Sequence, residues 1–156
     1  MRTLPAALAL AAAATVLAGC GDNVSWEGDP VERADPEVVE IVTGSAAGGS
    51  VEEMVTVFRG PKDLDRYVEQ FGTELGESTI RFEIGTAYRR YDEDPDTHVG
   101  AAVISVGCDV PPSATITEGE QDDTWLVHPA KVKDPVEACA VAITAVAIVT
   151  VPVPLS

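Results

Sequence analysis

Positive charge is scarce in this sequence: 10 Lys and Arg stand against 26 Asp and Glu in 156 residues, a formal net charge of −16. A surface of that sign repels phosphate backbones and anionic head groups. Nucleic acid is therefore excluded as a partner, and a basic patch is excluded as a means of membrane attachment. Histidine is nearly missing as well. His98 and His128 share no local ligand pattern, and a zinc site needs three or four nitrogen or sulfur ligands. No G-x-S-x-G motif occurs, and Ser45 and Ser50 lack the strand–nucleophile–helix setting such a serine needs. Aromatic residues make up 5% of the chain and cysteines number three, so one thiol is left over if the other two pair.

What is present begins with an N-terminal leader. Arg2 precedes an Ala/Leu/Val run from Leu4 to Ala18, the positive and apolar parts of a secretory signal. The run is shorter than the ~20 apolar residues of a spanning helix. It closes on Leu17-Ala18-Gly19-Cys20, after which the chain turns polar at once. These residues resemble the signal of a bacterial lipoprotein: a branched residue, two small residues beside the scissile bond, then a cysteine whose thiol accepts the lipid. The resemblance implies cleavage between Gly19 and Cys20, export, and anchoring to the outer face of the cell membrane through acyl chains on Cys20. It also accounts for the leftover cysteine. Two or three acyl chains hold a protein firmly, whereas one binds only marginally, at ~0.8 kcal/mol per buried CH₂.

Residues 1–19 thus form a signal and 20–36 an acidic tether, rich in Gly, Pro and acids, with Trp26 as a stray aromatic. Residues 37–156 form one β-rich domain. Without the signal the chain keeps nine basic and 26 acidic residues, a charge of −17 on 137 residues. Glu37–Thr43 and Glu52–Phe58 are rich in β-branched residues and flank a loop of small residues, so both are expected to be strands. Pro61 opens a helix over 61–71, with Leu64, Tyr67, Val68 and Phe71 at helical spacing and Gly72 placed for a positive φ just beyond. Ile80, Phe82 and Ile84 alternate with Arg81 and Glu83, which predicts a half-buried strand continuing past Gly85 towards Tyr88. His98–Cys108 is apolar on both faces and predicts a central strand. Residues 114–119 and 124–129 read as a hairpin, and Glu137–Pro152 as one long or bent buried strand. The expected fold is α+β and β-dominated, sandwich-like or a rolled antiparallel sheet, with one short helix against it.

Cys108 and Cys139 border the two most apolar strands, and in an exported protein such a pair is expected to form a disulfide. The spacing is unlike C-x-x-C, and no basic neighbour lowers a thiol pKa, so a structural role is expected over a redox one. Asp92, Asp94 and Asp96 have the 1-3-5 spacing that opens a calcium loop. Thr97 stands where such a loop needs glycine, however, and Val103 where it needs a bidentate glutamate. The three aspartates are therefore a candidate cation or partner site, and more simply a solvated turn. Apart from that candidate calcium ion the residues imply no cofactor. Arg89 and Arg90, inside "YRRY", are expected to offset nearby carboxylates.

In element order the stretches Val55–Phe71, His98–Cys108 and Val141–Pro152 are similar to small exported lipoprotein domains that stabilise a protease partner. The glycine-tyrosine turn of that family is replaced here by "VGCDVPP", and no binding residue carries over. The leading expectation is a non-catalytic, lipid-anchored envelope protein whose domain binds a protein or cell-wall partner. The alternatives are a cation- or small-ligand-binding lipoprotein that uses its acidic loops, and an envelope hydrolase without a recognisable motif.

Overall fold

A computed structural model describes residues 34–72 and 75–153, the side chains of 75–79 excepted. Cys20, the motif around it, and the tether up to Arg33 with Trp26 lie outside the described residues. The elements are β1 (Glu37–Ser45), β2 (Thr56–Phe58), α1 (Pro61–Val68), α2 (Leu75–Tyr91), β3 (Thr97–Gly107), β4 (Ala114–Glu118), β5 (Trp125–Pro129) and β6 (Ile143–Pro152). The fold is α+β and β-dominated, as expected.

Four strands form an antiparallel sheet in the order β1-β6-β3-β2, and β4 and β5 form a separate hairpin. The two most apolar runs, β3 and β6, take the central places because both sheet faces are covered. Val99, Ala101 and Val103 of β3 join Val146 and Ile148 of β6 in a core with residues of α1 and α2. The alternate residues Ala102, Ile104, Ala145, Ala147, Val149 and Val151 face the hairpin, where Trp125 and Val127 complete a second core. The result is three layers, helices over sheet over hairpin. Full burial of each Val or Ile side chain contributes ~1.5–3 kcal/mol.

The predicted strand through Ile80 and Ile84 is a helix. Residues Leu75–Tyr91 form α2, so two helices cover the sheet where the sequence suggested one. Both periods fit Ile80 and Ile84. The deciding residues are Ala87 and Tyr88, which continue the buried stripe at spacings of three and four, and Phe82, which is 64% exposed although the strand reading needs it inside. Packing on the sheet overrode a local alternation.

Helix α1 is also shorter than expected. It ends at Val68, and Gly72 does not have a positive φ: its N–H donates to the Ala47 carbonyl at 2.9 Å. Left-handed residues near this helix end lie instead in the loop after β1, at Ala46, Gly48 and Gly49. At Gly49 a Cβ would sit 2.8 Å from the Phe71 ring, so this glycine lets the loop close over the end of α1.

The expected strand over 52–58 divides its pairing between two sheets. The Val127 N–H donates to the Glu53 carbonyl at 2.7 Å and the Val55 N–H to the Trp125 carbonyl at 2.9 Å. Thr56–Phe58 then pair with β3 as β2. Gly100 of β3 permits that crossing, since a Cβ there would lie 2.6 Å from Val55 Cγ1 and 3.0 Å from the Thr56 carbonyl.

The final apolar run becomes a strand only at Ile143, while residues 137–142 are exposed and irregular. They belong to an excursion between β5 and β6 that Cys139 ties to Cys108, just past the end of β3. The two sulfurs lie at disulfide distance with Cα atoms 5.3 Å apart. Asp109 adds a second tie by accepting the Val136 N–H at 3.0 Å.

Candidate binding groove

In a three-layer fold the edge of the middle sheet is recessed between its covering layers. At the β1 edge α2 packs close, and Arg90 reaches Glu40 at 3.0 Å. At the opposite edge the recess stays open. A groove of about 660 Å³ runs along Met54–Val57, with Asp63, Arg66, Tyr67 and Gln70 on the helix side and Asp123 and Thr124 on the hairpin side. Ser50, Glu52 and Arg59 complete its rim.

Three properties distinguish this groove. Strand β2 ends the sheet, and among the described residues no hydrogen bond reaches Thr56, Val57 or Phe58 from the side away from β3. Met54, which lines the groove, is 56% exposed. The third property is Tyr67. Its ring is buried in edge-to-face contact with Phe58 and Phe71, at centroid distances of 5.3 and 5.8 Å.

Among the described residues no group hydrogen-bonds the buried Tyr67 hydroxyl. Its pKa is pushed well above the ordinary tyrosine value, first by burial and then by the Glu52 carboxylate, with Gln70 acting weakly the other way. Gln70 does not satisfy the hydroxyl. Its amide nitrogen donates to the Tyr67 carbonyl at 3.1 Å, and its oxygen accepts the Ser50 N–H at 3.4 Å. The phenol thus stays protonated, with both a donor and an acceptor unused, a state that costs about 1–3 kcal/mol.

The groove is charged unevenly. Arg59 stands at the end of β2, where its backbone N–H donates to Asp63 at 3.1 Å, and Asp63 also meets Arg66 at 3.5 Å. Glu52 and Asp123 are acids of the rim near the start of the strand. Arg59, Lys62 and Arg66 are three of only ten basic residues in the chain, all within eight positions. That local reversal of sign was the one trace of the groove in the sequence, and reading the sequence element by element missed it.

The residues singled out from sequence lie elsewhere. Asp92, Asp94 and Asp96 follow α2 in an exposed turn, where Asp94 Oδ1 accepts the Asp96 N–H at 2.9 Å and the Asp96 carbonyl accepts the Val153 N–H at 2.9 Å. Asp92 and burial together hold the Tyr88 hydroxyl up to about 12, burial being the larger cause. Among the described residues no group of three or more His, Cys, Asp or Glu is placed to hold a metal ion. A smaller hollow of about 390 Å³ lies beside this turn, between Glu93, Asp94 and Arg90 and the chain entering β1. Arg90 offsets Glu40 rather than the acidic turn, and Arg89 donates to the Thr86 hydroxyl at 3.1 Å. His128 meets Thr117 at 2.9 Å on the outer hairpin, while His98 opens β3, so the two histidines do not converge. No protein-family profile, curated protein or solved structure matches this chain.

Proposed function

We propose that this chain is a lipid-anchored protein of the cell envelope, exported and held at the outer face of the membrane through Cys20. Its folded domain binds a protein or cell-wall partner without transforming it. The groove at the β2 edge carries the binding reading. It brings together an unpaired strand edge and exposed Met54, which are groups that gain by contact and include no nucleophile beside a base. Leu17-Ala18-Gly19-Cys20 supports the anchor, and the charge of −17 supports acyl chains over electrostatics as its means.

Labelling of growing cells with a fatty-acid analogue tests the anchor. Label is expected on the wild-type chain and lost in Cys20→Ala, with the variant released from the membrane fraction. Label retained on the variant contradicts the anchor. A photo-crosslinking side chain placed at Met54 tests the binding half: one discrete adduct in intact envelopes is expected, and none when the same group replaces Val136 on the far excursion.

A further inference from the structure

We propose that the β2 edge takes up a segment of extended polypeptide as an added strand, antiparallel to β2, with the partner's backbone lying between α1 and the β4–β5 turn. This deepens the binding reading above and rests on it.

A strand with one neighbour leaves alternate N–H and C=O groups pointing away from the sheet. At β2 they point into a recess walled on both sides rather than to open solvent. The open edge is Thr56–Phe58, about 10 Å at ~3.3 Å per residue, because Glu53 and Val55 before it are already bonded to Val127 and Trp125 of β5; an incoming strand therefore pairs over three residues and its ends overhang. Backbone pairing supplies affinity in such an addition, and the walls supply selection. Here the walls set a direction. Since Arg59 lies where β2 ends and Glu52 and Asp123 near where it begins, an antiparallel guest is matched when it carries an acidic residue first and a basic residue last. The antiparallel direction is the one every pair in this domain uses, and it is slightly the more stable.

A second copy of this chain does not fit the site. Pairing two β2 edges would bring together two molecules of charge −17, and like-sign surfaces of that size repel. The short length of β2 and its flanking charges also guard the edge against indiscriminate pairing.

The test uses the full mature chain in detergent with two blocked hexapeptides of alternating threonine and valine. One has glutamate first and lysine last, and the other has these two ends exchanged. At saturating concentration the first is expected to slow amide exchange about tenfold at alternate residues within 56–58, where bound backbone replaces solvent. The exchanged peptide should bind about three- to fivefold more weakly, the scale of exposed ion pairs. Arg59→Ala should shrink that difference while leaving the melting temperature unchanged. If neither peptide changes exchange at 56–58, strand addition is overturned. Protection that follows the exchanged peptide instead overturns the assigned direction. Should envelope adducts form at Met54 while both peptides leave β2 unprotected, strand addition fails and the binding reading survives. Loss of the adducts as well removes both.

Discussion

At the scale of single residues, two buried tyrosines link folding to alkaline pH. Burial raises both hydroxyls, Tyr88 to about 12 and Tyr67 further, whereas an unfolded tyrosine ionises near ~10. The folded state therefore holds its phenolic protons more tightly than the unfolded chain does. The stability linked to them is whole below pH ~10 and is lost as pH rises through the folded values. Melting temperature should not respond to these two groups through neutral pH, then fall from about pH 10 upward. Tyrosinate absorbance should show two late-ionising groups that titrate normally once the chain is unfolded. Gly100 is the other residue whose substitution should report cleanly. A methyl group there meets Val55 and the Thr56 carbonyl, so Gly100→Ala should cost about 1–3 kcal/mol in denaturant titration, with amide exchange speeding up first at Thr56–Phe58.

Among the elements, the 108–139 pair closes a segment with a sequence separation of 31 that contains the whole β4–β5 layer. Loop-closure entropy puts its contribution on the order of 3–4 kcal/mol. The double variant Cys108→Ser, Cys139→Ser should lose about that much in chemical denaturation. A loss below about 1 kcal/mol would show that Asp109 and the hairpin packing hold the excursion unaided. This pair was legible in the sequence because each cysteine stands at the border of a run expected to be a core strand, although the second strand begins four residues past Cys139. Runs such as Val99–Ile104 and Ile143–Val151 state their burial on both faces without reference to any other part of the chain. Helix α2 was not legible, since Ile80 and Ile84 satisfy both periods and only the sheet beneath them selects Ala87 and Tyr88 over Phe82. The groove was hidden for a related reason. That Thr56–Phe58 is an end strand follows from strand order, and strand order is a property of the assembled sheet that no local pattern records.

Over the whole molecule acidic residues outnumber basic ones, and at the β2 edge Arg59 and Arg66 stand among Glu52, Asp63 and Asp123, so the field alternates in sign along the groove. These fields act within a Debye length of ~8 Å at physiological salt, which makes them a matter of encounter more than of holding. What holds the two central strands is partly covalent, since Cys108 follows β3 directly and Cys139 stands four residues before β6. That bond also governs what a protease can do to the protein. Lys131 and Lys133 are exposed on the excursion between the two cysteines, away from any strand. Tryptic cleavage there should divide the polypeptide without dividing the molecule: one band on a gel without reductant, two smaller ones with it. The nicked chain should keep its sheet and its melting transition, because both new ends lie in a segment that pairs with nothing in the ladder. Wherever peptidases are part of the medium, this excursion is a place where the chain can be cut and remain one body.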